Sequence, residues 1–287
     1  MDGAVLGTIV LVSVLVFVVS SMLAMGLSLT MGEVIEPLRD IRLLAIALAV
    51  NFIAVPLVAV LIGNLLSLDD GLYIGLILMA TAAGAPFLPK LAQAAKGDIA
   101  YSVGLMVLLM VVTVVYMPIV MPLILEDVEV SPWDIASSLI FLMLLPLAIG
   151  LFVKARYESA ADGLQPVMAQ TSTIAIAIML VAGLIMNFEE IVDIIGTGGI
   201  AAIVLFLAAG FALGYFGGGG EPGIKSVLGL GTAQRNLSAA LVVAGQNFTA
   251  DPDVITFIIV AGLVGLVILM PAAGEIGKRA EAKSSAA

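Results

Sequence analysis

Gly229-Leu230-Gly231-Thr232-Ala233-Gln234-Arg235-Asn236-Leu237-Ser238 decides how this chain is read, because it lies inside the apolar segment Ile224–Gln246 with Arg235 at its centre. Five polar side chains, Thr232, Gln234, Arg235, Asn236 and Ser238, fall within seven positions. A helix turns about 100° per residue, so they cannot all share one face. Either protein or water surrounds this helix, or it unwinds, which the glycines permit. An arginine at the centre of a bilayer costs at least about 2.5–3.5 kcal/mol on insertion scales, so it must face a partner, a cavity or a ligand.

The surrounding composition makes the bilayer the relevant solvent. Of 287 residues, 62% are hydrophobic and 11% charged, with a mean hydropathy of +1.24. A soluble domain is about half apolar and about a quarter charged, which excludes a soluble globular or disordered chain. There is no cysteine, so disulfides, thiolate metal sites and cysteine catalysis are excluded. There is no histidine either, which removes the commonest general base and metal ligand. A net charge of −10 argues against nucleic acid as a partner.

A span needs about 20 mostly apolar residues to cross about 30 Å of hydrocarbon. Reading between charged breaks predicts an all-α polytopic membrane protein of nine transmembrane helices, forming one domain over 1–287. The expected spans are 4–30, 41–66, 71–94, 99–125, 133–152, 164–186, 191–216, 224–246 and 254–270. The first lacks the basic start and cleavage pattern of a signal peptide and is expected to remain as a span. Nine spans place Arg39, Arg42, Lys96, Lys154, Arg156, Lys225, Lys278, Arg279 and Lys283 on one side. The other side has no Lys or Arg and twelve acids, among them Asp69, Asp70, Asp134, Asp251 and Asp253. Positive-inside asymmetry then predicts the amino terminus outside and the carboxyl terminus in the cytoplasm of a plasma membrane.

The third expected span repeats the anomaly of the eighth. It reads Gly84-Ala85-Pro86, then Pro89-Lys90, and two prolines within four residues should break a helix. The two spans are five apart and cross in opposite directions, as partners in an inverted repeat do; transporter sites form where two such broken helices cross. Plainer readings stand beside this one. Lys90 is close enough to the inner end of its span to snorkel, Arg235 could be a buried hydrogen-bond hub, and Thr232–Ser238 could be interhelical glue. No Asp or Glu lies deep in any span. Two basic groups without a buried acid point to an anionic substrate. A sodium ion needs only neutral oxygens, which Asn51, Thr232, Gln234 and unwound carbonyls offer.

Several runs resemble the bile acid:sodium symporter family: Ala24-Met25-Gly26-Leu27-Ser28-Leu29-Thr30, Asn51-Phe52-Ile53-Ala54-Val55-Pro56, Ala95-Lys96-Gly97-Asp98-Ile99-Ala100-Tyr101-Ser102, and Gly231 through Leu241. The resemblance covers essentially the whole chain. It implies a panel domain, and a core domain in which two broken helices cross beside the substrate cavity. It also implies symport of an organic anion such as a bile acid, pyruvate or pantoate with sodium, with no other cofactor.

Carried over by position, the family's first sodium site falls on Leu88 and Pro89, Ser102 and Met106, and Leu230, so only Ser102 keeps a ligand. The second falls on Asn51, Gln234 and carbonyls around Leu230, Gly231 and Ala233. The expected sodium residues are therefore Asn51, Gln234, Ser102 and Gly231. Lys90, next to the lost ligands, is expected to replace the first sodium, leaving at most one to couple. Arg235, Asn236, Thr232 and Lys90 are the expected substrate contacts, arginine offering a planar fork for a carboxylate. The family's arsenite exporter relies on a cysteine, which is absent here. Intramembrane proteases need paired aspartates, a serine with histidine, or zinc, so an enzyme is not expected. A sodium-independent or proton-coupled carrier remains the alternative.

Overall fold

The computed structural model describes residues 3–35, 40–125, 131–186, 194, 196–249 and 251–285. Among these, every regular element is a helix: α1 Gly3–Ser28, α2 Met31–Ile35, α3 Ile41–Ala49, α4 Val55–Leu66, α5 Asp70–Thr81, α6 Leu88–Ala94, α7 Ile99–Ile124, α8 Pro132–Leu139, α9 Leu145–Arg156, α10 Glu158–Met186, α11 Gly199–Gly217, α12 Pro222–Ala233, α13 Leu237–Asn247 and α14 Pro252–Ser285. Two π turns, Val50–Ala54 and Ile140–Leu144, join α3 to α4 and α8 to α9 into continuous rods.

Six helical stretches among the described residues are long and apolar enough to cross a membrane: Leu6–Ser28, Ile41–Leu65, Ile99–Ile124, Pro132–Arg156, Gly199–Gly217 and Pro252–Ala282. The expected span 164–186 lies within α10. The segments 71–94 and 224–246 are each two short helices separated by non-helical residues, 82–87 and 234–236. Of the expected span 191–216, residues 191–193 and 195 lie outside the described residues, and its regular helix begins at Gly199.

Local chemistry sets these boundaries. The Asp98 carboxylate accepts the Tyr101 amide at 2.9 Å to cap α7, and Asp40 accepts Arg42 and Leu43, both at 3.0 Å, to cap α3. Each π turn runs into a proline two residues after it ends, Pro56 or Pro146. Pro56 has no N–H to offer Phe52, four residues back. That carbonyl is met instead by the Tyr116 hydroxyl of α7 at 2.6 Å, as a polar backbone group in an apolar medium requires.

The helices pack in two groups. In one, α1 lies along α9 and α10. At its tightest point Gly26 meets Gly150, where a Cβ on Gly26 would sit 2.9 Å from the Gly150 Cα. Small residues permit this backbone approach in membranes. In the other group, α5, α6, α7, α12 and α13 are surrounded by α4, α11 and α14. The groups meet where α8 rests on α7 and α13, and where α1 touches α13.

Candidate functional site

The two interruptions lie against each other. The Asn236 amide donates to the Ala82 carbonyl at 2.8 Å, and its side-chain Nδ2 donates to the Gly84 carbonyl at 3.0 Å. Asn236 Oδ1 accepts the Ala239 amide at 3.1 Å and so caps α13. Between these bonds, Ala83 is served by Thr113 of α7. The Ala83 N–H donates to Thr113 Oγ1 at 3.0 Å, and that hydroxyl donates to the Ala83 carbonyl at 3.1 Å. Gly84 has φ +83°, a left-handed conformation natural to glycine, and a Cβ there would collide with the backbone of Met110.

Arg235 is 2% exposed. Its Nε donates to the Met79 carbonyl at 3.1 Å and its Nη2 to the Ala80 carbonyl at 2.6 Å. Nη1 donates to Asn51 Oδ1 at 2.8 Å and to the Thr232 carbonyl at 3.2 Å. Four of the five guanidinium N–H groups are thus committed, every one to a neutral oxygen. Among the described residues Arg235 makes no ion pair. Met79 and Ala80 belong to the last turn of α5, and Thr232 to the last turn of α12. The breaks end the helices there, so these carbonyls lack their usual helical donors. The negative ends of both helix dipoles therefore converge on the guanidinium. Asn51, fully buried, donates from Nδ2 to the Ala47 carbonyl at 3.0 Å and to Thr232 Oγ1 at 3.2 Å, which orients its oxygen toward Arg235.

Asn51, Thr232, Arg235 and Asn236 thus come together with the broken ends. Gln234 and Ser238 are close to them in sequence, and Gln234 Oε1 and Ser238 Oγ are buried oxygens without a hydrogen-bond partner. Lys90 and Ser102 do not join the cluster. Lys90 is exposed, its Nζ 5.6 Å from the Phe87 ring centroid, because α6 buries Leu88, Leu91 and Ala92 and position 90 falls off that face. Ser102 Oγ donates to the Ile99 carbonyl of its own helix at 2.6 Å. The expected first cation site is filled with hydrocarbon: Leu88, Leu105, Met106 and Leu230 are each at most 1% exposed. A Cβ on Gly231 would lie 2.8 Å from Leu88 Cδ2, so this glycine is a packing contact for that cluster. Thr113, which serves the break after α5, and Tyr116, which serves the π turn at Phe52, both come from α7 and are absent from the expected set. The signal for Thr113 is a lone polar residue in the run Leu105–Val115.

Two cavities open along the seam between the helix groups. One of about 220 Å³ is bordered by α1, α13 and α14, with Val10, Leu241 and Ile255 in its wall. The other, about 430 Å³, has a mixed lining: Asp134, Ser137 and Ser138 of α8 and Gln246 of α13 share it with Leu15 of α1 and with Phe141 and Leu142. Arg235 borders neither of them.

The sequence profile of the Sodium Bile acid symporter family matches residues 14–194. A curated relative, "Probable sodium/metabolite cotransporter BASS3, chloroplastic" of Arabidopsis thaliana, is 25% identical over 255 residues, covering 86% of this chain and 59% of the relative. The protein of that name from Oryza sativa subsp. japonica is 25% identical over 196 residues, 68% of this chain and 46% of the relative. The chain therefore spans about half the length of the relatives it matches.

Proposed function

Because the chain belongs to the sodium bile acid symporter family, we propose that it is a secondary transporter, not an enzyme, carrying a small organic anion by sodium-coupled alternating access. The observation that carries this reading is the meeting of two helix interruptions around a buried arginine that has no ion-pair partner among the described residues. In this arrangement α5 and α12 end at the crossing and α13 begins there. Helix carboxyl ends favour cations and helix amino ends favour anions, so one small region can hold both a coupling ion and a substrate carboxylate.

The substrate's anionic group is placed at the start of α13, near Asn236 and the unpartnered hydroxyl of Ser238, where the charge of Arg235 offsets its own. Thr232 supports that site through Asn51. Sodium is assigned to Gln234 Oε1 with neighbouring carbonyls. The group of α1, α9 and α10 serves as the panel and the remaining helices as the core. Substrate access is along their seam, where the cavity beside Asp134 and Gln246 lies on the side the sequence assigns to the exterior. Nine crossings follow if each pair of half-helices makes one crossing and α10 another. The amino end is then external, in a plasma membrane.

Uptake of radiolabelled pyruvate, pantoate and taurocholate into proteoliposomes, with and without an inward sodium gradient, tests the function. Accumulation of a carboxylate that requires sodium is the expected result. Uptake indifferent to sodium refutes the coupling, and no uptake of any organic anion refutes the substrate class. The absence of native cysteine makes topology directly measurable. Single cysteines at the exposed positions Ser67 and Ser131 are expected to label from outside, and one at exposed Tyr157 only after permeabilisation.

A further inference from the structure

We propose that Arg235 is a resident cation: its guanidinium permanently fills a place where a carrier of this architecture would otherwise hold an exchangeable monovalent cation. The inference rests on the transporter reading above and deepens its coupling chemistry.

Its ligand set is that of an alkali ion. The guanidinium is enclosed by three peptide carbonyls, of Met79, Ala80 and Thr232, and by the amide oxygen of Asn51, at 2.6–3.2 Å. All four are neutral. Carbonyls of interrupted helices and their carboxyl ends are what membrane carriers use to replace the hydration shell of sodium. Here three such carbonyls, orphaned by the breaks in α5 and α12, are spent on a side chain.

The geometry also argues against Arg235 as a direct clamp on substrate. Four of its five N–H groups are committed, it is 2% exposed, and it borders neither cavity along the seam. Its positive charge can favour an anion nearby, but its fork is turned to the protein. The same oxygens left without any cation would be desolvated acceptors gathered at the negative ends of two helices, an arrangement that demands positive charge. A tethered cation cannot dissociate, so it crosses no gradient and contributes nothing to coupling. The crossing is always charged for anion binding, and the carrier uses one sodium fewer than an architecture whose crossing lacks the arginine. Gln234 Oε1, still unpartnered, is the oxygen left for an exchangeable ion.

The test is equilibrium binding of radioactive sodium to the full-length detergent-purified chain, together with its melting temperature in sodium chloride against choline chloride. R235A and R235Q are each expected to bind one more sodium per chain than wild type and to gain thermal stability as sodium replaces choline. R235A should respond likewise to millimolar guanidinium ion, and R235K, which keeps a tethered charge, should gain no sodium. Variants that bind the same number of ions as wild type overturn the inference. So does a wild type that already binds two. R235A and R235Q that cannot be recovered folded even in sodium buffer overturn it too, since sodium should replace the lost charge. A wild type that binds none, with one gained by the variants, removes sodium coupling and leaves the resident cation standing.

Discussion

The crossing of the broken helices and the contact between α1 and α9 are both sites of close backbone approach, yet they are built on opposite principles. Where Gly26 meets Gly150, a Cβ on Gly150 would lie 2.7 Å from the Leu23 carbonyl. Two regular helices touch there through missing side chains, with their backbone bonds already made. At the crossing the helices have ended, and freed backbone groups have been given side-chain or backbone partners: the Ala82 carbonyl by Asn236, Ala83 by Thr113, the Gly84 carbonyl by Asn236, and the Met79 and Ala80 carbonyls by Arg235. The first kind of contact fixes a shape. The second fixes a charge and a set of oriented dipoles, which is what a binding site requires.

Substitutions separate the two. The largest effect is expected from G84V, which forces a branched residue into φ +83° and against the Met110 backbone. The strained conformation costs about 1–3 kcal/mol and the overpacking about 1–3 kcal/mol more. No monodisperse protein should survive size-exclusion chromatography after mild heating, and a wild-type melting profile would contradict the close packing at the break. N236L comes next. It leaves the Gly84 carbonyl and the Ala239 amide unmet at about 1–3 kcal/mol each, and should abolish anion uptake even in the fraction that folds. N236S restores the cap on α13 without the reach to Gly84 and should recover stability in part.

G150A probes the other kind of contact. It should lower the melting temperature by the equivalent of about 1–3 kcal/mol while leaving the half-saturating substrate concentration unchanged; a shift in that concentration would mean the panel contact shapes the site. K90Q should be smallest. Lys90 is exposed on α6, so stability should stay within about 0.5 kcal/mol. Uptake near wild type is expected, and a loss of tenfold or more would return Lys90 to the binding region.

The membrane character, the two irregular segments and the anomalous position of Arg235 were legible in the sequence because each is a composition or proline anomaly against an apolar background. What surrounds Arg235 was less legible. Asn51 and Thr232 are in the cluster, but they serve the arginine, and nothing local in the π turn after α3 or in α12 states that pairing. Lys90 looked equivalent to Arg235 because both are bases in apolar segments. Three buried positions on the short helix α6 turned it outward. Thr113 and Tyr116 were not legible, because one hydroxyl in a long apolar helix has no meaning until its neighbour is an irregular stretch of backbone.

The sequence by itself determined that this chain lies in a bilayer and where its helices are interrupted, since transfer energy and proline geometry are local properties. Only the tertiary structure decided who satisfies the interrupted backbone, because those partners come from α7 and the opposite break. The Arg235 and Asn51 that bond across the crossing are 184 residues apart in the chain. In hydrocarbon no water can substitute for such partners, so the pairing of distant segments turns a buried arginine from an energetic liability into a fixed charge where the two interruptions meet.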